Sequence, residues 1–361
     1  MSVMSTAVVE PSAFRPLQSP ETPAVAIRIA QLTKSFVARR PFRDTVLHPF
    51  RRKYTRALND VNCEIFQGEF FGFLGANGAG KTTLFKILAT LVSPDHGQVQ
   101  VNGVDVAAAP DEVRRFLTPV IADERSLRWR LSARENLRLY AVLYGVPPND
   151  VKRRVDEVLE RVGLDPADMK LVGRFSSGMR QRLLIARALI PSPKILLLDE
   201  PTRSLDPVAA RDLRAFLRGE ICKSLGCTVL LATHTAEEAF DLCDRVAIMH
   251  RGRPLAIGPT YKLMLEYGEE RYRIWTTSGS ARAVASLVDS GLSTLVAPVA
   301  TEDDGWTAVD AVIPGGPARA AEAIETLVAR GVAVARFERV GMSLGDLIQR
   351  VVGTNGGGHH A

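Results

Sequence analysis

The chain has 361 residues, a formal net charge of +6 and 46% apolar residues. That length predicts two or three domains, and that balance excludes a disordered or collagen-like chain in favour of a soluble globular one with one substantial core and a smaller second one. The four cysteines, Cys63, Cys222, Cys227 and Cys243, form no C-x-x-C pair, which argues against zinc and fits small buried thiols in a reducing compartment.

Residues 1–24 are rich in Pro, Ser, Thr and Ala without a period and read as a disordered tail. From Ala24 to Leu32 apolar residues partly alternate with others, which predicts an edge strand. Residues 37–56 interrupt the pattern with Arg39, Arg40, Arg43, Arg51, Arg52, Lys53 and Arg56. They read as a partly helical insertion, either a solvated basic loop or a contact with a membrane surface or partner subunit.

Glu69 to Leu74 is an apolar run ending in a glycine-rich turn, and a helix is predicted from Lys81. Gln98 to Val106 alternates around Asn102-Gly103, a hairpin turn signal. Residues 110–190 are mainly helical in pattern, with a capping box at Ser132 and Glu135. Ile195 to Leu198, Val229 to Thr233 and Val246 to Met249 read as strands buried on both faces. Asp206-Pro207 opens a further helix. No apolar run reaches the ~20 residues that a spanning helix needs, and there is no signal-peptide pattern at the start. If the protein works at a membrane, another chain supplies the spanning part.

After about residue 263 the order becomes strand (272–277), helix (281–289), strand (294–299), strand (306–313), helix (318–330), strand (332–339). That is βαββαβ, a small ferredoxin-like unit. The predicted domains are a tail (1–24), a main domain (25–262) carrying the insertion 37–56, an accessory domain (263–353) and a flexible tail (354–361).

Gly75-Ala76-Asn77-Gly78-Ala79-Gly80-Lys81-Thr82 fits G-x-x-x-x-G-K-[ST], with a strand entering and a helix leaving. Gly78 and Gly80 let the backbone curl so that N–H groups and the helix N-terminus cradle phosphate oxygens. Lys81 is expected at the β- and γ-phosphates and Thr82 at Mg²⁺, with Thr83 beside them. Asp199 closes an apolar strand at the end where ligands bind, and is expected to hold Mg²⁺. Glu200, one residue on, is placed to polarise water as a general base. Ser176, Ser177, Gly178 and Met179 open an apolar-periodic helix, which offers either a second anion site or an ordinary capped helix.

These motifs, in this order, resemble the nucleotide-binding domain of ATP-binding cassette (ABC) transporters over residues 27–258. The family's LSGGQ signature is written here as Phe175-Ser176-Ser177-Gly178-Met179, a variant that looks like the exporter branch, as does the RQRLLIARAL that follows. The resemblance implies an α/β P-loop NTPase cassette with a helical subdomain, an ATPase using ATP and Mg²⁺. It implies that Ser204, Leu205 and Asp206 form the subunit-bridging D-loop, that His234 touches the γ-phosphate, and that the signature acts on a partner's nucleotide. It further implies a separate permease, a second copy or paralogous ATPase, and a place on the cytoplasmic face of the membrane; no nucleic acid partner is expected. The competing reading is a soluble ABC ATPase acting on ribosomes or DNA. An NKxD base-reading motif, expected of a GTPase, is absent from the sequence.

Two departures stand out. The family's Q-loop glutamine has no counterpart in Val120-Ile121-Ala122-Asp123-Glu124-Arg125, so Asp123 or Glu124 is the candidate replacement and Asp123 a candidate Mg²⁺ ligand. The aromatic that stacks on adenine has two candidates, Phe36 and Tyr54, with Tyr54 preferred because it precedes the Ala57–Val61 stretch. The C-terminal unit is expected to be regulatory or dimerising.

Overall fold

The computed structural model describes residues 24–37, 54–120, 126–267, 270–277, 284, 287–293, 295–301, 306–340, 346–348 and 350–351. Strands β1 (Val25–Val37) and β2 (Tyr54–Phe66) form a long antiparallel pair, followed by the buried β3 (Phe70–Gly75) and helix α1 (Lys81–Leu88). The hairpin β4 (His96–Val101) and β5 (Val104–Asp105) turns at Asn102 and Gly103, both at positive φ (47° and 81°), as its turn residues predict. Next come α2 (Pro110–Phe116) and β6 (Leu117–Val120), then α3 (Ala133–Leu143), α4 (Pro148–Arg161) and α5 (Ser177–Leu189). The α/β order resumes with β7 (Ile195–Asp199), α6 (Pro207–Phe216, continued by a π-helical stretch to Ser224), β8 (Thr228–Thr233), α7 (Ala236–Leu242), β9 (Arg245–His250), β10 (Arg253–Pro259) and α8 (Thr260–Tyr267).

The central sheet has the order β10-β9-β3-β8-β7-β6, parallel from β9 to β6. Its residues alternate between two cores. On β3, Phe70 and Leu74 join the α3–α6 side, while Phe71 and Phe73 join the side of α1 and the first sheet. Every residue of β3 is buried, which is why the run reads as continuously apolar. Phe73 meets Phe71 and Phe85 edge-on, with centroids 5.1 and 6.1 Å apart. This packing fixes the strand that delivers the glycine-rich loop. All four cysteines are buried free thiols, and burial pushes those of Cys63 and Cys227 up to about 12.

Three expectations need correction or completion. The first sheet has the order β2-β1-β4-β5, so β1 is an interior strand, not an edge. It pairs with β2 on one side and β4 on the other, a long-range fact that partial alternation cannot reveal. The region 110–190 contains the short strand β6 at the sheet's edge, the position in a sheet where a proline such as Pro119 is tolerated. Most of the basic insertion, 38–53, lies outside the described residues, but its ends are joined: Val37 pairs with Tyr54. The insertion is thus spliced into the tip of a hairpin.

The C-terminal strands β11 (Arg271–Thr277), β12 (Leu295–Thr301), β13 (Trp306–Val312) and β14 (Val334–Val340), with α9 (Gly316–Ala329) between the last two, form an antiparallel sheet of order β12-β13-β11-β14. Its core gathers Tyr272, Ile274, Val309, Ala311, Ala323 and Leu327. Part of the predicted helix 281–289 lies outside the described residues. After β14 the chain returns to the main core: Leu347, Ile348 and Val351 pack in the cluster that holds Leu263 and Tyr267 of α8. Arg271, the first residue of β11, donates to Asp346 Oδ2 at 3.3 Å. Among the described residues no helix is long and apolar enough to cross a membrane.

Candidate functional site

The parallel strands end together, and their C-terminal ends with the loops beyond them line a cavity of about 800 Å³. Asn77, Gly78, Gly80, Lys81, Thr82 and Thr83 line one wall, and Asp199, Glu200, Ser204 and Leu205 another. Loops leaving the carboxyl ends of parallel strands are where such sheets bind ligands.

The glycine-rich loop is shaped by what surrounds it. Gly80, immediately ahead of α1, sits at φ 105°, and a Cβ there would lie 2.5 Å from the Ala57 carbonyl oxygen. Only glycine meets both demands. Lys81 is buried and its Nζ donates to the carbonyls of Gly75 and Ala76 at 2.6 and 3.1 Å, so the lysine folds into its own loop. Burial lowers its pKa, against the pull of Glu200 and Asp199. Thr82 Oγ1 donates to Asp199 Oδ2 at 3.2 Å, bringing together the two predicted metal ligands. Burial raises the Asp199 pKa, offset by the Thr82 hydrogen bond. Lys81 and Asp199 therefore both shift towards their neutral forms.

Glu200 follows β7 in the left-handed region, φ 48°, and its N–H donates to Ala232 O at 2.9 Å. This turn aims the side chain at the end of β8, where Oε1 lies 2.8 Å from His234 Nδ1. Oε2 makes an ionic contact with Arg203 Nη1 at 3.2 Å but has no partner of hydrogen-bond geometry. With Arg203 mostly exposed, that ion pair is worth ~0–1 kcal/mol.

The remaining predicted residues fall in different places. Ser177 lines the main cavity, together with Gln181 one turn further along α5. Ser176 caps α5, accepting from Met179 N at 3.2 Å, and Ser176, Gly178 and Met179 border a second cavity of about 490 Å³. Asp206 is occupied as the cap of α6, accepting from Val208 and Ala209 N–H groups at 3.1 and 3.0 Å. Neither Phe36 nor Tyr54 is among the residues lining the main cavity; Thr55, Arg56 and Ala57 are. Asp123 and Glu124 lie outside the described residues. Sequence reasoning missed Arg203 and Gln181, and also Glu238, a buried carboxylate that accepts from Thr202 and Thr233 Oγ1. The first two could have been found from their spacing, three residues after Glu200 and four after Ser177.

Residues 58–203 match a family model described as "ABC transporter". The chain is 38% identical over 221 residues to the ABC transporter ATP-binding protein NatA of Bacillus subtilis, covering 61% of this chain and 88% of NatA. It is 36% identical over 252 residues to the daunorubicin resistance ATP-binding protein DrrA3 of Streptomyces coeruleorubidus, covering 68% and 79% of the two chains. Among solved structures it resembles a dimeric ATP-binding cassette in a post-hydrolysis state bound to ADP and Pi, with TM-score 0.54 and 25% identity over 65% of this chain and 98% of that one.

Proposed function

Because this chain belongs to the ABC transporter family of ATP-binding subunits, we propose that it hydrolyses ATP to power export of a substrate through a separate permease, as a peripheral subunit on the cytoplasmic face of the membrane. The observation that carries this is the convergence on one cavity of Lys81, the Thr82–Asp199 pair and Glu200, itself in contact with His234. A phosphate-binding loop, a metal-ligand pair and a carboxylate base are the parts that phosphoryl transfer to water requires. The likeness to a drug-resistance ATP-binding protein supports export.

Within this reading each residue has a task. The N–H groups from Gly75 to Thr83 hold phosphates, and Lys81 exchanges its two carbonyl partners for the β- and γ-phosphates. Glu200 takes a proton from the attacking water, and His234 contacts the γ-phosphate. Thr82 and Asp199 are hard oxygen donors held 3.2 Å apart, a set that suits Mg²⁺. That ion would neutralise phosphate charge; Asp123 is proposed as a further ligand. The signature residues Ser177 and Gly178 close on the nucleotide of a second copy or a paralogue, so that ATP joins two half-sites. The C-terminal unit serves as a regulatory or dimerising accessory.

Co-expression with a candidate permease tests the reading. The chain should sediment with membranes only when the permease is present, and vesicles should accumulate substrate with ATP but not with the Glu200→Gln variant. Sedimentation with ribosomes or DNA instead would favour the non-transport reading.

A further inference from the structure

Behind the Glu200–His234 contact lies a second carboxylate that the proposed mechanism does not use. Glu238, on the first turn of α7, is 2% exposed. Its Oε1 accepts from Thr202 Oγ1 at 2.7 Å and its Oε2 from Thr233 Oγ1 at 2.6 Å. Thr202 stands two residues after Glu200, and Thr233 immediately precedes His234. One buried carboxylate thus binds, with one oxygen each, the segments leaving β7 and β8.

The chemistry gives this clamp a direction. Both threonine hydroxyls donate to Glu238, so their protons point at its carboxylate. With its proton committed, Thr233 Oγ1 presents lone pairs to the other side, where it accepts from Thr235 N at 3.1 Å. The backbone on both sides of His234 is therefore held through one hydroxyl. On the other segment, Glu200 sits at φ 48°, a conformation that persists in a non-glycine residue only when its surroundings over-determine it. The Glu200 N–H bond to Ala232 and the Thr202 anchor do so from both ends.

We propose that Glu238 is a positioning residue for hydrolysis: it locks the spacing of the chain segments that carry Glu200 and His234, so that base and imidazole stay aligned on one nucleotide. This rests on the reading of the site as an ATPase. A group that acts in this way changes turnover more than nucleotide affinity, because the phosphate-binding loop lies on a different segment.

The test uses the full-length chain and three variants. Glu238→Gln keeps the shape but puts a donor where an acceptor stood, which forces one hydroxyl to reverse. Thr202→Val removes one hydroxyl with little change of volume. The third variant combines the two. Steady-state kcat and KM for MgATP are measured beside equilibrium binding of a fluorescent ATP analogue and thermal melting. We expect kcat to fall at least about tenfold in Glu238→Gln, and several-fold in Thr202→Val, with KM and analogue affinity within about twofold of wild type. The double variant should be no worse than Glu238→Gln, since both changes break one connection. The proposal is overturned if kcat stays within twofold in both single variants, or if affinity and melting temperature fall together with kcat, or if the two losses multiply. Should Glu238→Gln fail to fold, the kcat-against-KM split of Thr202→Val alone decides. A wild-type chain that does not turn over ATP would instead refute the ATPase reading itself.

Discussion

His234 Nδ1 lies 2.8 Å from Glu200 Oε1, in direct contact across the ends of two adjacent parallel strands. The two side chains that the proposed chemistry needs are thus already together in a single chain, and in the proposed composite site the second half comes from another copy. Glu200→Gln keeps the shape and removes the base. ATP should then bind and persist, and size-exclusion chromatography with and without ATP should show a long-lived dimer that depends on ATP. Adding Ser177→Arg, a bulky intruder at the seam, should abolish that dimer. A Glu200→Gln variant that hydrolyses ATP like wild type, or whose size ignores ATP, would refute the composite site.

Lys81→Ala removes a cation from the β- and γ-phosphates. Turnover should drop at least about tenfold, equivalent to ~1.4 kcal/mol of barrier, with circular dichroism unchanged. Near-normal turnover of the purified variant would count against the assignment of the loop.

Asp199 yields a pH prediction. Its raised pKa, caused first by burial, means that the folded chain holds this proton more tightly than the unfolded chain does. The stability linked to the proton is fully present below the ordinary carboxylate pKa and is lost as pH rises through the folded value. Asp199→Asn removes the buried charge. Without nucleotide or metal, the variant should melt a few degrees above wild type at pH 7.5, and the gain should shrink towards pH 4. Calorimetry at the two pH values checks this; a lower melting temperature at pH 7.5 would show that the carboxylate is stabilising. Hydrolysis should be lost in the same variant.

Gly80→Ala places a Cβ 2.5 Å from the Ala57 carbonyl oxygen at a residue with φ 105°. Backbone strain of ~1–3 kcal/mol adds to the collision, and the loop must shift. Equilibrium titration should show nucleotide affinity reduced at least about tenfold, ~1.4 kcal/mol. Unchanged affinity would mean that the loop can open at no cost.

Replacing Asp123 and Glu124 together by alanine tests the substitute for the family's glutamine. A carboxylate binds Mg²⁺ at least as readily as an amide oxygen. We expect impaired hydrolysis or impaired coupling to transport. Wild-type behaviour in both assays would show that the departure is merely tolerated.

What could be read from the sequence was what is local. The phosphate loop is eight consecutive residues, and β3, β7 and β8 announce themselves as apolar runs because both of their faces are covered. The Ser132–Glu135 capping box was legible because its reciprocal bonds span one helical turn. The interior place of β1 was not, since it depends on pairing with residues about seventy positions away, such as Ile27 with Val101. Glu238 was hidden for a related reason. Glu237 and Glu238 are indistinguishable as a pair of acids on a short helix, and only the tertiary arrangement turns one inward to two threonines. The adenine-stacking candidates suffered from the insertion, which separates Val37 from Tyr54 in the chain while the sheet keeps them paired.

The return of the chain to the main core around Leu347 and Val351 restricts how the small sheet can travel. A body leashed by one linker is free to tumble about it. This one is moored where it departs, after Tyr267, and again where it comes home, with Arg350 Nη1 donating to the Tyr267 carbonyl at 3.4 Å. The two moorings lie side by side, so the small sheet is tied to the main core at both ends of its chain.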